Sequence, residues 1–126
     1  MNLPENLLYT KEHEWIRVDG NVATIGITDF AQGELGDIVF IEIETVGETL
    51  DAGEVFGSVE AVKTVSDLFM PVCGEILEMN DKLEAQPELI NSDPYGEGWM
   101  IRTKVTNVGE LEGLMDATAY KTMLEA

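Results

Sequence analysis

The feature that most constrains this chain is a lysine between two arms of alternating residues. Val55, Gly57, Val59 and Ala61 alternate on the way in, and Leu68, Met70 and Val72 on the way out, where Cys73 and Gly74 stop the pattern. Alternation at period two marks a strand with one buried face. Two such arms of similar length predict two strands folding back on each other, with Lys63 near the bend. The bend holds no Gly, Asn or Pro, so turn chemistry does not place it. Lysine fills a strand poorly; among β-branched residues, with Glu60 and Asp67 nearby, it belongs on a solvated face or an edge. Read from the residues alone, Lys63 is an exposed lysine and nothing more.

The remaining segments read as more strands. Residues 1–10, with Pro4, form an irregular lead-in. Residues 14–18 alternate, Asp19-Gly20-Asn21 turns, and residues 22–27 extend, which predicts a hairpin. Thr28 or Asp29 caps a short helix over 30–35 that Gly36 ends. An apolar strand over 37–43 is broken at Val46-Gly47-Glu48. Further strands are expected over 74–79 and 99–105, with a helical turn from Pro87 toward Ile90 and a loop over 91–98. Leu111, Leu114, Met115, Ala119, Met123 and Leu124 fall near helical spacing, with Asp116 as a cap between two short helices. Residues 36–39 echo 74–77, and 49–52 echo 82–85; the offsets differ, which excludes a solenoid and suits two halves related by an approximate two-fold axis. With 126 residues, the chain is one domain, 1–126, with a modest core.

Charge narrows the partners. Twenty-five acidic against 7 basic residues give a formal net charge of -18. That argues against nucleic acid and anionic membranes and favours basic docking surfaces on partner proteins, with association that weakens as salt rises. The N-terminus lacks the basic and apolar regions of a secretory signal, and no stretch is long enough to span a bilayer. A cytoplasmic location is expected; the initial methionine argues against a mitochondrial matrix protein already stripped of its leader.

The residues allow little intrinsic catalysis. Cys73 and His13 are the only cysteine and histidine, which excludes an internal disulfide and a multi-histidine or thiol-rich metal site. A cysteine-dependent hydrolase would have to bring these two together across sixty positions. Cys73, among strand-like neighbours, reads as a small buried filler. No phosphate-binding glycine loop is present; Gly96-Glu97-Gly98 lacks the rest of such a pattern and serves backbone geometry. Trp15, Trp99 and Tyr95 read as core or loop anchors, and His13 is expected beside Trp15.

Residues 59–63 (VEAVK), followed by Ser66-Asp67 and residues 71–75 (PVCGE), resemble the lipoyl-attachment hairpin of the glycine cleavage H-protein family. His13-Glu14-Trp15, residues 23–28, residues 36–40 and residues 91–99 (NSDPYGEGW) resemble that family in the same order and spacing. The match covers nearly the whole chain. One departure lies at its centre: Ala61 stands where the family usually has serine, which puts the rate of attachment in question but leaves the lysine.

The resemblance implies a mainly β fold, a lipoyl- or biotinyl-carrier-like sandwich of antiparallel strands with short helices, one at the C-terminus. It implies that Lys63 carries lipoate in amide linkage and that the protein is a shuttle, not an enzyme. Lysine suits this role because its acylated amine is permanent and uncharged, and the dithiolane then does the chemistry. Biotin carriers flank their lysine with methionines, whereas Val62 and Thr64 flank Lys63. The implied partners are a pyridoxal-phosphate glycine decarboxylase, a tetrahydrofolate-dependent aminomethyltransferase, dihydrolipoamide dehydrogenase and a lipoate-attaching enzyme. Glu14 and Asp67 match acidic residues that line an arm cleft in the family, where they would hold a cationic aminomethyl cargo away from water; His13 borders that cleft. The alternative for both carboxylates is an ordinary strand edge. Rival functions are a lipoyl donor that relays its group to other acceptors, a biotinyl carrier, the hydrolase, and an acidic interaction module with no prosthetic group.

Overall fold

A computed structural model describes residues 3–125. In chain order the strands and helices are β1 (Leu8–Tyr9), β2 (Glu14–Asp19), β3 (Val22–Ile27), α1 (Asp29–Leu35), β4 (Ile38–Glu42), β5 (Thr49–Leu50), β6 (Val55–Ala61), β7 (Val65–Phe69), β8 (Gly74–Met79), the one-turn helices α2 (Lys82–Ala85) and α3 (Leu89–Ser92), β9 (Ile101–Val105), a 3-10 helix over Val108–Gly113, and α4 (Ala117–Glu125). The strands form two antiparallel sheets, one of six in the order β1-β2-β3-β9-β8-β5 and one of three in the order β4-β6-β7. This is the expected antiparallel sandwich with a helical C-terminus.

The core lies between the sheets. Ile16, Ile25, Ile76 and Ile101 from the larger sheet meet Ile41, Phe56, Val59 and Leu68 from the smaller. Each side chain of this kind contributes about 1.5–3 kcal/mol when fully buried. A second cluster covers the other face of the large sheet, where Leu7, Tyr9 and Trp15 pack against Tyr120 of α4. Covered on both faces, β2 buries Glu14, Trp15 and Ile16 in succession, so the alternation expected over 14–18 is lost there. The β2–β3 turn forms as the sequence predicts: Asp19 pairs with Val22, and Gly20 takes φ +67°, a conformation that glycine adopts without steric cost.

The arms around Lys63 do form a hairpin, β6 against β7. Two details differ from the sequence pattern. A register shift between Val55 and Gly57 leaves Val55 exposed and sends Phe56 into the core. On the way out the ladder ends at Phe69, yet Met70 and Val72 stay buried, so burial keeps the period after pairing stops. Main-chain bonds set the bend where turn residues do not. Ala61 N donates to Thr64 O at 2.8 Å, and Val62 N donates to Asp37 O at 3.1 Å, tying the tip to the segment before β4.

Other expectations need correction. The lead-in contains β1, which pairs with β2. Strand β4 is buried on one face only, with Val39 and Phe40 exposed. Strand β9 begins at Ile101, not Trp99. Pro87 precedes the helical turn, which spans Leu89–Ser92. Asp116 does cap α4, accepting from Ala119 N through Oδ1 at 2.8 Å, but Ala119 is exposed and Tyr120 is the buried anchor. The echoed segments 49–52 and 82–85 differ in structure, since one holds β5 and the other α2. Their placement is nonetheless reciprocal: β5 pairs with β8 and α2 packs on β4, so each lies against the other half's echoed strand.

Candidate functional site

Lys63 lies at the tip of the β6–β7 hairpin, exposed, between Val62 (75% exposed) and Thr64. Its stem runs past the end of α1; a Cβ placed on Gly36 would lie 4.0 Å from Lys63 Cε. This residue has φ +82°, accepts the role of helix C-cap and donates its N–H to Gln32 O. Helix α1 is therefore ended at the point where the lysine stem passes.

On the inner side of α1 lies a cleft of about 410 Å³, lined by Phe30, Ala31, Glu34 and Leu35 of α1, Glu12, His13 and Glu14 at the start of β2, Ile27 of β3, and Val59, Ser66, Asp67 and Leu68 of the hairpin. It brings together Glu14, Asp67 and His13, which are far apart in sequence. Among the described residues, four carboxyl groups and no lysine or arginine line it.

Glu14 is 2% exposed. Its Oε2 accepts Phe69 N at 2.8 Å and its Oε1 accepts Thr10 Oγ1 at 3.3 Å. Burial pushes its pKa up to about 8; the Phe69 and Thr10 hydrogen bonds oppose this and the Glu12 charge adds to it. Glu14 is thus no strand-edge carboxylate: it bridges the two sheets and stands poised near neutrality. Asp67 is the contrast, exposed on the edge strand β7.

His13 does not sit beside Trp15. Its ring packs on Phe30 (centroids 4.8 Å) and on Tyr120 (5.7 Å), and its Nδ1 lies 2.8 Å from Tyr120 Oη. Its backbone has φ +70°, the one non-glycine residue in that region among those described, a conformation that persists only when its surroundings fix it. They do so here, with His13 N donating to Thr10 O and His13 O accepting Thr28 N, each at 3.0 Å. Burial lowers the His13 pKa, against the charges of Glu12 and Glu34.

The end of α3, which takes in Asn91 and Ser92 of the expected loop, and the loop over 93–98 brace the cleft from outside. Asn91 Oδ1 accepts Ile38 N at 2.8 Å, and its Nδ2 donates to Gly36 O at 2.8 Å and Gln32 Oε1 at 3.0 Å. Trp15 Nε1 donates to Pro94 O at 2.9 Å, and Asp29 N donates to Tyr95 Oη at 2.9 Å. A Cβ on Gly98 would lie 2.7 Å from Leu89 O, so only glycine fits.

The chain matches the family model described as "Glycine cleavage H-protein" over residues 7–126. A glycine cleavage system H protein of Bacteroides fragilis is 60% identical over 126 residues, 100% of both chains. One of Bacteroides thetaiotaomicron is 62% identical over 124 residues, 98% of each chain. This chain belongs to the glycine cleavage H-protein family. The crystal structure of a glycine cleavage system H protein from Mycobacterium marinum superposes with a TM-score of 0.89 at 41% identity, covering 98% of this chain and 100% of that one. The fold is the lipoyl-domain sandwich of that family, and the protein is a non-catalytic carrier.

An H protein needs no catalytic pair, and none assembles from Cys73 and His13. Cys73 is half-buried rather than a core filler; its Sγ accepts Thr106 Oγ1 at 3.1 Å and its N donates to Glu110 Oε1 at 2.6 Å, contacts shared with nothing around His13. Ala61, the departure from the family pattern, is 3% exposed and pairs with Ile38. Sequence reasoning missed Glu12, Glu34 and Tyr120, and read Thr28 only as a helix cap. Glu34, one turn after Phe30 on α1, carried a weak signal; Tyr120 carried none, because its hydroxyl partners lie 92 and 107 residues away.

Proposed function

We propose that Lys63 carries a lipoyl group in amide linkage and that this chain, as a single carrier domain, serves as the shuttle of the glycine cleavage system. One observation carries the reading: a freely exposed amine on a braced hairpin tip stands beside a cleft lined, among the described residues, by four carboxyl groups and no lysine or arginine. The amine meets the needs of attachment, since an enzyme can reach it and nothing in the fold depends on its charge. When bound, the lipoyl dithiolane supplies redox and group-carrying chemistry. The chain's own residues supply shelter. Glu14, dry and near neutrality in its pKa, gives up its proton when a cationic cargo enters and then pairs with it; Asp67 faces the same space from the hairpin. Phe30, Leu35 and Leu68 exclude water around that pair.

The partners of this reading are the glycine decarboxylase, the aminomethyltransferase, dihydrolipoamide dehydrogenase and a lipoate-attaching enzyme, all meeting a strongly acidic surface in the cytoplasm. Intact mass after expression in lipoate-fed cells tests the attachment. One lipoyl increment that disappears in Lys63→Ala supports it; a biotin increment, or none, refutes it. For the cleft, a Glu14→Gln, Asp67→Asn double variant is expected to shorten the lifetime of the loaded carrier at least tenfold. An unchanged lifetime removes these residues from the role.

A further inference from the structure

A chain of buried hydroxyl groups leads from α1 to α4 and ends on the cleft wall. Tyr120 Oη lies 2.8 Å from Thr28 Oγ1 and 2.8 Å from His13 Nδ1. Thr28 and Tyr120 are wholly buried. Thr28 Oγ1 already accepts Ala31 N at 3.2 Å as the N-cap of α1. Among the described residues its own proton has one hydrogen-bond acceptor, Tyr120 Oη; left unplaced in a buried site, that proton would cost about 1–3 kcal/mol. Tyr120 has one proton to give and passes it to His13 Nδ1. Nδ1 is thus the acceptor of a neutral imidazole, and the ring proton sits on Nε2. Nε2 has no hydrogen-bond partner among the described residues, and the ring lines the cleft.

Reversing the chain is costly. A protonated His13 would donate from Nδ1 to Tyr120, Tyr120 would turn to Thr28, and the Thr28 proton would lose its acceptor. The charged and titratable groups around the ring are Glu12 and Glu14 beside it in sequence, Glu34 on α1, Asp67 on β7 and Tyr120 on α4. Glu12 and Glu34 favour a charged ring, and burial with the hydrogen-bond chain opposes them. Backbone bonds at φ +70° and the Phe30 contact hold the ring in place.

We propose that Tyr120 is a positioning residue which, from the C-terminal helix, holds His13 as the neutral Nε2–H tautomer, so that the cleft offers an uncharged donor and no competing cation to what enters it. The tautomer stands by itself; the benefit to a cationic occupant rests on the carrier reading above.

His13 is the only histidine, so its ring signals are unambiguous. In nitrogen-15 spectra of the full-length protein without a lipoyl group, the expected neutral form is protonated on Nε2 alone. Tyr120→Phe keeps the ring stacked on Tyr9 (4.8 Å, 7°) and removes only the hydroxyl; it should mix the tautomers and raise the His13 midpoint by up to about one pH unit. A wild-type ring protonated on Nδ1 overturns the proposal, as does an unmoved midpoint in the folded variant. If the variant does not fold, the wild-type tautomer still decides. In the loaded carrier, the pH below which cargo is lost should rise with the His13 midpoint in Tyr120→Phe. A moved midpoint with an unmoved loss profile overturns the electrostatic half. A chain that never gains a lipoyl group refutes the carrier reading and leaves the tautomer assignment intact.

Discussion

Lys63 and Glu14 are charged residues at opposite extremes of one small molecule. Lys63 stands at a hairpin tip, exposed and without an ion pair among the described residues. Glu14 is 2% exposed, bonded to Phe69 of the opposite sheet and to Thr10 before its own strand, with its pKa pushed up to about 8. The tip is held by main-chain bonds with its side chains in water, and the cleft floor is held by side-chain bonds out of water. On the reading proposed above, a carrier divides its tasks in this way: what another protein must reach is left free of the fold, and what must act in a dry space is built into it.

That contrast can be broken or sharpened by substitution. The largest effect should come from Lys63→Ala, which is expected to abolish lipoyl attachment in intact-mass measurements while moving stability by no more than about 0.5 kcal/mol. Next is Gly57→Ala at the base of the same hairpin. Its Cβ would lie 2.6 Å from Glu42 O and 2.9 Å from an Ile43 side-chain carbon, so β4 must shift; a loss of about 1–3 kcal/mol in denaturant unfolding is expected. The hairpin is then tolerant at its tip and intolerant at its base.

Glu14→Gln probes the floor. The folded pKa of about 8 lies above the ordinary 4.5. Between these values the unfolded chain has released a proton that the folded chain keeps, so this group's contribution to stability is fullest below about pH 4.5, falls as pH rises toward 8, and is flat beyond. The glutamine variant should lose that slope and be more stable than wild type at pH 9, by about 1–3 kcal/mol. Equal slopes in both proteins would show that the carboxyl ionises normally. The smallest effect is expected from Val62→Ser, whose side chain is almost entirely in water: less than about 0.5 kcal/mol.

Much of this was legible in the chain. The hairpin around Lys63, the Asp19-Gly20 turn, the Thr28 cap and the Gly36 stop all follow from local rules, because strand alternation, caps and positive-φ glycines are decided within a few residues; pairing in the hairpin nonetheless ends at Phe69 and not at Val72. Where burial came from two directions, the local pattern failed. Strand β2 carries consecutive buried residues because α4 covers its second face, and Phe56 rather than Val55 faces the core because of a register shift against β7 that no period-two count contains. The 49–52 and 82–85 echo carried no reading of secondary structure, and similar residues became a strand in one half and a helix in the other.

The candidate site divides in the same way. Lys63 was singled out by a resemblance that runs along the chain, and its exposure follows from β-branched neighbours and a bend that buries nothing. The nature of Glu14 could not be read there, since a carboxylate's pKa depends on which groups exclude water from it, and those come from β7, Thr10 and α1. Nor could the His13–Tyr120–Thr28 chain, whose members lie up to 107 residues apart. Sequence by itself determined the longer strands, the β2–β3 turn and the position of the amine, because these depend on neighbours in the chain; the two-residue strands β1 and β5 were not legible there. Only the tertiary structure decided the charge states around the cleft, because desolvation and hydrogen bonding there are set by residues that meet only after folding.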